Sequence, residues 1–118
     1  RRQAGAGGLV VVEGMNAAAQ AHAEHLRGRH ELDHTSWIAG RKDPAARLDA
    51  EGVKWTRVGE NLAQLSDRAG IPDATIQIWM NSPGHRHNLL DPQFNVTGVG
   101  VARDERGTYY IVQMYATQ

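Results

Sequence analysis

The last quarter of the chain constrains the fold more than any other part. Val96–Ala102 and Tyr109–Ala116 are rich in β-branched and aromatic residues, and Arg103-Asp104-Glu105-Arg106-Gly107 separates them. That pattern predicts a hairpin. In its second strand Tyr109, Ile111 and Tyr115 fall on one face and Tyr110, Val112 and Met114 on the other. A strand that is apolar on both faces belongs to a sheet covered on both sides. The segments upstream read mostly as helices. The class that follows is α+β, a three-layer α-β-α sandwich with a central, mainly antiparallel sheet.

The helical signals are local. Met15, Ala18, Ala19, His22, Ala23 and Leu26 form a stripe at helical spacing, predicting a helix over Met15–Arg27 with Gly28 as its stop. Asp43 as N-cap, Pro44 at the first helical position and Gly52 beyond the end frame a second, short helix. Val53–Val58 reads as extended, and Glu60–Leu65 as another short helix. Ile71-Pro72-Asp73 opens a helix through Trp79 and Met80. Ser82-Pro83 repeats the cap-plus-proline start for a helix over Pro83–Leu89.

A chain of 118 residues fits one domain over 1–118, with residues 1–8, rich in Arg and Gly, as a loose or truncated segment. It begins at Arg1, so it reads as a processed or trimmed product whose leader is already gone. Thirteen basic and thirteen acidic residues cancel, so charge gives no reason to expect nucleic acid. No apolar run approaches the roughly 20 residues of a membrane span. The absence of cysteine removes disulfides, thiolate nucleophiles and Cys-type zinc sites together.

Chemistry therefore rests on histidines and carboxylates. His85 lies in the first turn after Pro83, on the side of Asn88 and Leu89, and the neighbouring Gly84 leaves space for it. His87 sits about 200° round the same helix, so the two cannot chelate one ion. Glu60, between Gly59 and Asn61, serves either as a helix-start carboxylate or as a site acid. His34 follows Asp33, which can orient its ring, and precedes two hydroxyl residues typical of a turn. His22, on the apolar stripe, reads as a core histidine with His25 one turn away, and His30 as solvated. Ser36 and Ser82 lie outside any nucleophile elbow, and Ser82 has a simpler role as a cap. Trp37, Trp55 and Trp79 can line a groove, with Trp79 placed in the core by its stripe. Gln113 is the odd polar residue of the last strand.

Taken together, three strings resemble the CAP superfamily, which joins cysteine-rich secretory, antigen-type and pathogenesis-related proteins. They are Asp33-His34-Thr35-Ser36, Gly59-Glu60-Asn61-Leu62-Ala63 and Trp79-Met80-Asn81-Ser82-Pro83-Gly84-His85-Arg86-His87-Asn88-Leu89-Leu90. The tail from Val96 is similar to the family's closing hairpin. The resemblance runs from about residue 9 to the end, and its Ser-Pro-Gly-His-Arg string and lack of cysteine are similar to the bacterial branch. It implies an α-β-α sandwich with a surface cleft lined by two histidines and acidic residues, in some members holding zinc or another divalent ion. His34 and His85 match the histidines and Glu60 the acid. A second acid of the eukaryotic branch is here replaced by Ser82.

The resemblance implies a secreted or cell-envelope binding module, acting as a monomer with no membrane span. Its partner would be a small ligand, a lipid or a cell-envelope component, taken in a cleft of His34, Glu60, His85, Ser82 and Asn88. The alternative is a metal-assisted hydrolase of peptide, ester or glycan, with His34 and His85 as metal ligands and Glu60 as general base.

Overall fold

The computed structural model describes residues 8–36, 38–66 and 71–118, without the side chains of 71–73. Residues 1–7 of the N-terminal segment, and Trp37, lie outside the described residues. The elements run β1 (Val10–Val11), α1 (Glu13–Arg29), α2 (Pro44–Ala50), β2 (Arg57–Ser66), α3 (Ile71–Met80), α4 (Pro83–Leu90), β3 (Val96–Arg103) and β4 (Thr108–Thr117). The strands form one sheet in the order β1-β3-β4-β2, antiparallel except for the short parallel β1–β3 pair.

Alternation along β4 builds the layers. Tyr110, Val112, Met114 and Ala116 join Met15, Ala18, Ala19, Ala23 and Leu26 of α1 and Leu48 of α2 in one buried cluster. Ile111 and Tyr115 face the other way and pack with Trp79 of α3, Leu89 of α4 and Phe94. The mixed α/β architecture with helices on both faces is the one expected from the hairpin.

Close approach of α1 to β3 depends on glycine. A Cβ at Gly98 would stand 2.2 Å from the Met15 carbonyl carbon, and one at Gly100 2.3 Å from the Gln20 nitrogen. Ala18 and Ala19 on the helix side complete this tight seam. Beyond the reach of β1, α1 also covers the β3 edge: Asn16 Oδ1 accepts from Val99 N and Gln20 Oε1 from Val101 N, both at 2.9 Å.

Two local expectations are corrected. Glu60–Leu65 is strand, not helix: β2 pairs with β4 from Arg57↔Thr117 to Ser66↔Thr108, and this long register outweighs the helix-favouring Glu, Leu, Ala and Gln of the segment. Gly28 does not stop α1. The helix runs through it to Arg29, and His30 takes the left-handed cap at φ 57°, its N–H donating to the Arg27 carbonyl. Asp43 caps α2 as expected, its side chain accepting from Ala46 N at 2.8 Å. Ser82 occupies the cap position of α4 but makes no side-chain cap bond.

Candidate functional site

The polar site is built around the outer edge of β2. Strand alternation turns Glu60 towards α1 and α2 and Asn61 towards α3 and α4. An edge strand exposes carbonyls to unwanted pairing. Here the Asn88 amide donates to the Glu60 carbonyl at 3.1 Å, and the Trp79 indole to the Leu62 carbonyl at 3.0 Å. The same contacts fix α4 and α3 against the strand that carries Glu60.

Glu60 is buried, which is costly for a carboxylate without a partner. Its partner is Arg47 of α2, whose Nη2 donates to Oε1 at 3.0 Å and to Oε2 at 2.9 Å. That nitrogen also donates to the His34 carbonyl at 2.7 Å, and Nη1 to the Arg41 carbonyl at 3.2 Å. Arg47 Nε is buried with no partner among the described residues. Arg47 thus ties the His34 loop and the Glu60 strand together. Nothing in the sequence singled it out, because an arginine in a short helix reads as solvated and its partner lies 13 residues away.

His34 completes the group. Its Nδ1 lies 2.9 Å from Glu60 Oε1, while its side chain remains 53% exposed. A carboxylate on one ring nitrogen fixes the tautomer and leaves Nε2 as the outward functional atom. The loop is held further: His22 Nε2 donates to the Asp33 carbonyl at 2.7 Å, and Asp33 Oδ1 accepts from Thr35 N and Oγ1. Those bonds from Thr35 hold the Asp33 carboxyl below its usual range. His22 is buried as expected of a core histidine, its ring stacked on His25 at 5.9 Å, and burial pushes its pKa down.

His85 approaches from α4. Its carbonyl accepts from Asn61 Nδ2 at 3.0 Å, and its Nδ1 is buried with no partner among the described residues. Burial lowers its pKa, and the charge of a protonated His34 acts in the same direction. His87 stays on the outside, 67% exposed and 3.7 Å from Asp91. Asn88 also donates to Asn61 Oδ1 at 3.1 Å. Asn61, fully buried, donates to the Tyr115 hydroxyl at 3.3 Å, which donates to Gln113 Oε1 at 2.9 Å. Gln113 therefore serves a buried network that braces α4 from below.

His30 is half-exposed rather than fully solvated. It bonds Asp104, 74 residues further along the chain, at 3.1 Å. Trp79 is 2% exposed and belongs to the core.

Among the described residues, no group of three or more His, Asp or Glu is arranged to hold a metal ion. Of the three residues expected at the site, Glu60 is bound to Arg47 and His34, which leaves the two imidazoles as the remaining donors. Two imidazoles alone would leave positions for water on an ion and would not make a closed structural zinc site.

Comparison with known proteins agrees with this fold. The profile of the CAP, cysteine-rich secretory protein family matches residues 1–115. The chain is 31% identical over 100 residues to the uncharacterized protein YkwD of Bacillus subtilis, covering 85% of this chain and 37% of that one. An extracellular protein containing an SCP domain from Bacillus anthracis superposes with a TM-score of 0.84 at 26% identity, over all of this chain and 36% of that one. An outer surface protein of Borrelia burgdorferi gives a TM-score of 0.86 at 17% identity, over all of this chain and 84% of that one, a likeness of fold. The chain spans about a third of the length of the two Bacillus proteins.

Proposed function

This chain belongs to the CAP, cysteine-rich secretory protein family, and from that premise we propose that it is a secreted or cell-envelope binding module whose cleft, between His34 and His85, takes a ligand or a divalent ion. The observation that carries this reading is the commitment of Glu60. Its two oxygens hold Arg47 and His34 at 2.9–3.0 Å, and its side chain is 1% exposed. A carboxylate so engaged orients a ring; it is poorly placed to take a proton from water at the cleft surface. The hydrolase alternative, which needs Glu60 as general base, is correspondingly less well supported.

If a divalent ion binds, His34 and His85 would hold it and Glu60 would steady His34 from behind. The ion would supply an open coordination position for an oxygen or nitrogen of the ligand. The natural partner on this reading is a small ligand, a lipid or a cell-envelope component. A place outside the cell is supported by the likeness to the extracellular Bacillus anthracis protein. No helix among the described residues is long and apolar enough to cross a membrane.

Zinc titration of untagged protein by calorimetry tests the ion site. Binding that weakens in both His34→Ala and His85→Ala supports it, and no binding to the wild type rejects it. Turnover of a peptide, ester or glycan pool that is lost in Glu60→Gln would overturn the ranking of module above hydrolase.

A further inference from the structure

We propose a second binding site, for an uncharged oligosaccharide, in the trench between the start of α1 and the connection from α2 to β2, built around the Trp55 indole. The trench has a volume of about 1150 Å³, and none of His34, Glu60 or His85 lines it. Ligand pockets commonly span about 300–1,000 Å³, so a trench of this size has room for several sugar rings.

Trp55 is held as a fixed surface. Its Nε1 donates to Asp49 Oδ1 at 2.9 Å, and the partly buried ring packs on the main core cluster. The next residue is anchored to the sheet, with Thr56 N donating to the Thr117 carbonyl at 2.9 Å. An aromatic plane that is immobile before binding loses little entropy when a ligand settles on it. The C–H face of a pyranose is an apolar plate of matching shape, and its equatorial hydroxyls then point to the rim.

The rim suits hydroxyls. Asp49, Lys54 and Thr56 are exposed and line the trench. They offer an ammonium donor, the Asp49 Oδ2 as acceptor and the Thr56 hydroxyl oxygen as a second acceptor, its proton donating to the Thr117 carbonyl at 3.3 Å. Its charge is balanced: Asp49 offsets Lys54, and Glu51 is ion-paired with Arg41. A balanced rim gives no long-range attraction for a phosphate or polyanion. An open trench ringed by charged groups also suits an acyl chain poorly, because such a chain needs an enclosed apolar wall.

The test is amide NMR of the whole chain titrated separately with chitotetraose, cellotetraose and maltotetraose. The expected result is saturable shifts of the Gly52, Lys54 and Thr56 amides and the Trp55 indole N–H with at least one of them. Binding should weaken at least roughly tenfold in Trp55→Ala and stay unchanged in His34→Ala. Should Trp55→Ala lose its dispersed spectrum, the exposed-rim double variant Lys54→Ala/Thr56→Ala carries the same expectation of weakening. No saturable shift with any of the three sugars overturns the site. Shifts centred on His34 and His85, or affinity unchanged in the folded variants, overturn it equally.

Discussion

A single terminal nitrogen of Arg47 is shared between both carboxylate oxygens of Glu60, at 3.0 and 2.9 Å, where each side chain is 1% exposed. The pair joins α2 to the edge strand β2 beneath His34. Burying two charges is expensive, and breaking one partner away leaves the other uncompensated. Arg47→Ala should therefore lose about 3–5 kcal/mol in urea unfolding, whereas Arg47→Met with Glu60→Met should cost clearly less than the two single changes summed. Additive single and double costs would show that the pair is not coupled.

The α1–β3 seam makes a sharper geometric prediction. Gly98→Ala would put a methyl group 2.2 Å from the Met15 backbone, so α1 must move off the sheet. The expected cost is at least about 1–3 kcal/mol by thermal or urea unfolding. Gly28→Ala is the control. It lies inside α1 with nothing within 4 Å, and should be neutral or stabilising by about 0.5–1 kcal/mol.

Acid should weaken the fold through two histidines. Burial is the first cause of the lowered pKa of both His22 and His85, against an ordinary value of 6.5. Between 6.5 and the lowered folded values, the unfolded chain binds more protons than the folded one. The contribution is thus fully present above 6.5 and is lost as pH falls through the folded values. Unfolding midpoints measured from about pH 7.5 down to about 5 should fall, and His22→Gln should flatten that slope. A flat wild-type profile would contradict the burial of these rings.

A second acid transition is expected lower down. Burial alone would raise the Asp104 pKa, but bonds from the Thr108 and Arg106 backbone, His30 and Tyr110 bring it to about 2. Its stabilising effect is complete above 3.8, and disappears as pH falls from there through about 2. Asp104→Asn should remove this step from the acid-unfolding curve, and should also loosen the contact between the His30 cap and the β3–β4 turn.

Much of the architecture was legible in local signals. The two-faced β4, the Asp43-Pro44 start of α2 and the buried stripe of α1 each follow from spacing within a few residues. The strand character of β2 was not, because Glu60, Leu62, Ala63 and Gln64 favour helix and only pairing with β4 makes them extended. The β1 strand escaped for a related reason: two valines, Val10 and Val11, acquire it by pairing with Val96 and Thr97. At the cleft, motif strings marked His34, Glu60 and His85, while Arg47 carried no local mark. Its role comes from a contact between distant segments, and that contact favours the proposed role of Glu60 as a support for His34 over the alternative of a general base.

The most direct measurement is the joint response of the His34 and His85 ring protons to zinc, followed by NMR in untagged protein. The account predicts that both rings shift along one binding curve, and that Glu60→Gln weakens that curve by about 10–100-fold while the fold persists. Rings that respond at separate concentrations, or a response that ignores Glu60, would contradict a shared cleft supported by the Arg47–Glu60 pair.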